Sequence, residues 1–177
     1  MTRLLMLTLV VLAGNPFAAG AEAVMAEREA QLVRLRTLAQ ERRWRDIVQQ
    51  FEQEDFAAWP AESARQAGEA LTQRGLAYSF LKEGQRAAAD LEAATKLDPQ
   101  NALAWMTLGD NCANNLNDEQ QALAAYRQSL AITGTNHGWQ SLSATLSIVR
   151  ILTDQVKTDQ ALAALRPYDE LPSDAAS

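Results

Sequence analysis

The sequence predicts an all-α protein built as an array of about four helix-turn-helix units. Three observations lead there. Leucine, alanine, glutamine and arginine dominate the body of the chain, and all four favour helix. Glycine and proline are scarce, 8 and 5 among 177 residues, so few positions interrupt a helix. Small residues also recur in a fixed frame with large apolar ones: Gly75 and Ala87 with Leu71, Tyr78 and Leu91, then Gly109 and Ala122 with Trp105, Cys112 and Tyr126.

Residues 1–21 stand apart from this pattern. MTRLLMLTLVVLAGNPFAAGAEA opens with a basic Arg3, continues with an apolar run from Leu4 to Ala13 and closes on small residues, the layout of a signal peptide. Ala19-Gly20-Ala21 places cleavage before Glu22, and Ala21-Glu22-Ala23 offers the alternative before Val24. The run is about half the 20 or so apolar residues a membrane span needs. No cysteine lies near the cleavage region, which argues against a lipid anchor. The expectation is a periplasmic protein without a stable membrane anchor, with soluble secretion as the alternative.

Residues 22–61 read as a degenerate N-terminal helical pair, with Ile47 and Phe51 at the apolar positions of its second helix, Trp44 in its turn and Trp59-Pro60 at its close. Residues 62–135 carry two full units. In the first, Gly84 is expected to break the chain between two helices, and Asp98-Pro99 to end the second, because proline cannot continue a helix and restricts its predecessor. In the second, one residue is inserted in the turn, and Asn117 is the expected cap of the following helix, with Gln120 as its capping-box partner. Residues 136–168 form a degenerate C-terminal pair, with Ala161 and Leu165 in frame and Pro167 ending it early. Residues 169–177 are an acidic tail, expected to be flexible.

A 34-residue window from residue 68 places Leu71, Gly75, Tyr78, Ala87, Leu91, Ala94 and Pro99 at positions 4, 8, 11, 20, 24, 27 and 32, and so resembles a tetratricopeptide repeat. A second window from Ala102 follows in phase. The degenerate ends depart from it, with Leu35 and Val149 where the glycine would stand, as terminal units of a solenoid do. The resemblance implies a right-handed solenoid in which the first helix of each unit lines a concave face. It implies a scaffold for a protein or peptide partner, or alternatively a structural subunit of an envelope complex or homo-oligomer. Gly75 and Ala87 are expected to meet where the two helices of one unit cross.

Chemistry is sparse. The chain has no phosphate loop, dinucleotide fingerprint, nucleophile elbow, zinc-protease or CxxC motif, so neither an enzyme nor a cofactor is expected. The one histidine, His137, reads as a cap or a solvent-facing group, and the one cysteine, Cys112, as a buried packing residue. Glu52, Glu54 and Asp55 read as a solvated acidic face. A formal net charge of −6 opposes nucleic-acid binding, which needs a basic surface.

Concave-face positions under the resemblance are Leu32, Arg36 and Gln40, then Thr72, Leu76 and Ser79, then Met106, Asp110 and Asn114, then Leu146, Arg150 and Asp154. Leu76, Met106, Asp110 and Arg150 combine apolar area with directional charge and are the candidate protein-binding residues. Arg34, Arg36, Arg42, Arg43 and Arg45 form a secondary basic patch, diluted by Glu41 and Asp46. Asp110 stands where a clamp for a peptide carboxylate would want a neutral or positive group.

Overall fold

The structure is a computed structural model that describes residues 16–134, 138–155 and 157–166. Most of the expected signal peptide, His137, Pro167 and the acidic tail lie outside the described residues. Eight α-helices are present among the described residues: α1 Pro16–Gln40, α2 Trp44–Phe51, α3 Ala64–Phe80, α4 Gly84–Leu97, α5 Ala102–Asn111, α6 Glu119–Thr133, α7 Trp139–Asp154 and α8 Thr158–Leu165. Two 3₁₀ turns, Phe56–Ala58 and Ala61–Ser63, join α2 to α3, and a π-helical turn, Cys112–Leu116, continues α5. No strand occurs among the described residues.

Short turns force successive helices to fold back on one another. α3 packs on α4, α5 on α6 and α7 on α8, while α4 meets α5 and α6 meets α7, so each pair touches its neighbours along the chain. The first helices of the pairs also meet, α3 with α5 and α5 with α7. This is the contact pattern of a solenoid.

The repeated small residues explain the close crossings. A Cβ built on Gly75 would lie 2.7 Å from Leu91 Cγ and 3.3 Å from the carbonyl oxygen of Ala87. A Cβ on Gly109 would lie 2.7 Å from the Tyr126 ring. In both units the glycine therefore receives the large residue at position 24, and in the first the small residue at position 20 brings its backbone near. Leu91, Ala87, Ala122 and Tyr126 are fully buried in one continuous core with Ile148 and Ile151 of α7.

The turns differ from the expectation at two places. Gly84 does not break the chain, because it is the first residue of α4. The reversal falls at Lys82, which adopts φ 66°. Gly84 is small for another reason: a Cβ there would lie 2.9 Å from Leu116 of the next unit. Nor does Asn117 cap α6. It takes φ 55°, and Asp118 is the cap, accepting a hydrogen bond from the Gln121 N–H at 2.9 Å.

Arg42, Lys82 and Asn117 are the positive-φ non-glycine residues of the described chain. Each sits in the turn between the two helices of its unit. Around Arg42 and Lys82 the bonds Arg43 N–H to Leu38 O, 2.8 Å, and Glu83 N–H to Tyr78 O, 2.9 Å, close the helix end in the Schellman manner. In the next unit the inserted residue is taken up by widening the helix into a π turn, and Asp118 N–H reaches back to Cys112 O at 2.9 Å.

Candidate protein-binding surface

Two hollows open where the first helices of neighbouring units lie side by side. One, of about 280 Å³, is lined by Leu76, Ser79 and Phe80 of α3 and its end, by Lys82, and by Thr107, Asp110, Asn114 and Asn115 of α5 and its π turn. The sequence-selected Leu76 and Asp110 thus meet here, along with Ser79 and Asn114 from the same concave-face positions. The other, of about 320 Å³, lies toward the opposite ends of the same helices and is polar, with Arg65, Gln73, Asp98, Asn101 and Gln140 in its wall.

Asp110 is half-buried in the first hollow. Tyr126 donates a hydrogen bond to its Oδ1 at 2.7 Å. Burial raises the Asp110 carboxyl above the usual carboxylate range, opposed by that hydrogen bond and by the charge of Arg150. The Tyr126 hydroxyl is pushed up in turn, first by burial and then by its bond to Asp110. Phe80 supplies an apolar wall and is 58% exposed, although its ring stacks on Trp44 at 4.5 Å and 5°. Asn115 is fixed by donating to Ser79 O at 3.0 Å and to Asn111 Oδ1 at 2.8 Å, while Asn111 donates to Gly84 O at 2.8 Å.

Met106 is not part of this surface. It is 6% exposed and turned into the packed interior. Leu32 and Thr72, also expected on the concave face, are buried, and Thr72 spends its hydroxyl on Gly68 O at 2.7 Å. These side chains project between helices because each first helix is covered on two sides by its neighbours, which narrows the open stripe. Arg150 is exposed on α7 and influences Asp110 and Tyr126 electrostatically without an ion pair to either.

The basic patch dissolves into ion pairs. Arg36 binds Glu69 through two bonds of 2.5 and 2.7 Å and approaches Glu29 at 3.6 Å, tying α1 to α3. Arg43 pairs with Asp46 at 2.5 Å and Glu41 at 3.3 Å, and Arg34 donates to Gln50. Arg42 and Arg45 are left exposed. The acidic cluster is likewise engaged: Glu52 pairs with Arg86, and Asp55 caps the turn at Ala58. Cys112 is buried, and burial pushes its thiol up to about 11. Among the described residues no group of acidic, histidine or cysteine side chains is arranged to hold a metal ion, and no helix is long and apolar enough to cross a membrane.

One further surface is only partly anticipated from the sequence, where Leu146 is among the concave-face positions but neither Trp139 nor Leu142 is. Trp139, Leu142 and Leu146 are 65%, 45% and 53% exposed along one face of α7. The signal is present, as apolar residues at i, i+3 and i+7, but that spacing reads by default as a core-facing stripe.

No curated protein matches the sequence. A solved structure of a MamA mutant is similar to this chain at 16% identity, covering 83% of this chain and 98% of that one, with a TM-score of 0.49. The tetratricopeptide-repeat family profile matches residues 68–101, the span of α3, α4 and the turn that follows. That match falls on one of a continuous series of packed helix pairs, so residues 68–101 are similar to a tetratricopeptide repeat within an all-α helical-repeat fold.

Proposed function

We propose that the protein is an exported scaffold that binds a protein or peptide segment along its concave face, with no catalytic role. Tetratricopeptide repeats suggest a protein-interaction scaffold in general. The observation that supports a specific site is the convergence of Leu76, Phe80, Asp110 and Asn114 around one open hollow. Apolar wall and fixed polar groups together are what a bound segment needs: area to bury and directional groups to set its register. The polar hollow at the other end of the same helices extends the track toward Asn101 and Gln140. Export, to the periplasm or beyond it, rests on the layout of residues 1–21.

A photo-crosslinking residue in place of Leu76 tests the site, with the same residue in place of Gln85 on the outer surface as control. Cross-linking of a discrete partner from position 76 and not from 85 supports the reading; equal yields from both positions overturn it. Intact mass of the protein from a fractionated cell tests export, with a mature N-terminus at Glu22 or Val24 expected and retention of Met1 contradicting it.

A further inference from the structure

The exposed face of α7 is built unlike those of α4 and α6. α6 presents Arg127 and Gln128 to solvent, and α4 presents Gln85, Arg86 and Lys96. α7 presents Trp139, Leu142 and Leu146, followed in the same row by Arg150, at steps of three, four and four residues. Three large apolar side chains in one row on a helix surface mark an interface that something covers.

The row is self-complementary about its own midpoint. Trp139 and Arg150 stand about 16 Å apart along the helix, so they cannot meet within one chain. When a second α7 is laid antiparallel on the first, Leu142 falls opposite the second copy's Leu146, and Trp139 falls opposite its Arg150. Both pairings then occur twice, as a two-fold axis requires. Arginine over an aromatic ring is already a recurring contact of this fold: Arg28 lies 5.3 Å from the Trp59 ring centre, Arg74 5.0 Å from Phe56 and Arg86 4.7 Å from Tyr78. Arg150 forms no ion pair among the described residues, which leaves its guanidinium available for such a contact.

We propose that the exposed row Trp139, Leu142, Leu146 and Arg150 of α7 is the interface of a two-fold symmetric dimer, its occupant being α7 of a second copy of this chain. The interface is closed, so it limits assembly to pairs.

Sedimentation velocity on the protein, purified as the cell processes it, tests this at concentrations from about 1 to about 100 μM, where a dimer is favoured by mass action. A concentration-dependent dimer is expected. Leu142→Glu with Leu146→Glu should give a monomer across that range with an unchanged circular dichroism spectrum, and Trp139→Ala should weaken dimerisation about tenfold or more. The register is read separately by oxidising Leu142→Cys protein, Leu146→Cys protein and their equimolar mixture. The mixture should cross-link in clear excess of either alone. A wild type that stays monomeric, a glutamate variant that still dimerises, or equal cross-linking in all three samples overturns the proposal. None of these readouts depends on capture of a partner in the concave face.

Discussion

The guanidinium of Arg74 grips the carboxylate of Asp90 through two hydrogen bonds, 2.7 Å from Nε and 2.8 Å from Nη2, in the interior between α3 and α4. Its Nη1 donates at 2.7 Å to both Phe51 O and Glu54 O, and its plane covers Phe56. One side chain therefore closes the helix pair at 64–97, satisfies carbonyls left open where α2 ends, and docks the first pair on the second. Asp90→Ala strands a buried positive charge and should destabilise by about 3–5 kcal/mol in urea unfolding. Arg74→Met with Asp90→Leu together should lose less than Asp90→Ala, because no charge is left unpaired. A double variant weaker than the single one would show that the carbonyl contacts to α2 dominate.

Gly109 predicts a second measurement. An added methyl would sit 2.7 Å from Cδ1 of Tyr126, a fully buried ring with no flexible end to move aside. Gly109→Ala should overpack the crossing of α5 and α6 and cost about 1–3 kcal/mol. Gln128, exposed on α6, is the control, and Gln128→Ala should change stability by less than about 0.5 kcal/mol. Equal thermal shifts for the two would refute the glycine-to-position-24 packing.

Arg42 holds a left-handed backbone at φ 54° where a glycine commonly ends a helix. A residue with a Cβ loses about 1–2 kcal/mol there, and glycine recovers that less its greater unfolded-state entropy. Arg42→Gly should therefore raise the melting temperature by about 1–2 °C, whereas Arg42→Ala should not. The prediction fails if both variants melt alike.

Much of this architecture is legible in the amino-acid sequence, and what is hidden there has physical causes. The frame of Leu71, Gly75, Tyr78, Ala87 and Leu91 can be read because small and large residues at crossings obey a steric rule visible in one dimension. Arg74 and Asp90 cannot, because two charged residues 16 positions apart look like solvated positions until folding brings them together. Met106 departs from its expected place through the width of the open stripe: repeat position alone does not register how much neighbouring helices cover. The turn insertion is visible at Asn117, but whether it becomes a loop or a π turn depends on Asp118 N–H finding Cys112 O. In α7 the residues are legible and their orientation is not, since Trp139 and Leu142 carry the composition of a core on a face that lies in solvent.

The last prediction separates stability from binding at Asp110. Burial raises its folded-state pKa above that of the unfolded chain. Such a group contributes stability below the unfolded value, about 3.9, and loses it as pH rises through the folded value. At neutral pH the ionised Asp110 therefore weighs against the fold, although its exposure to solvent keeps the effect small. Asp110→Asn keeps an oxygen to accept the Tyr126 hydroxyl and removes the charge that burial disfavours. The variant should melt about 1–3 °C higher than wild type at pH 7, and the gain should shrink as pH falls through the raised folded-state pKa of Asp110, where the wild-type carboxyl takes up its proton. If the carboxylate is retained for a bound segment, the same substitution should lower the yield of partner cross-linked from position 76. A variant less stable than wild type at pH 7 would mean that the charge of Arg150 outweighs burial and that Asp110 serves the fold rather than a ligand.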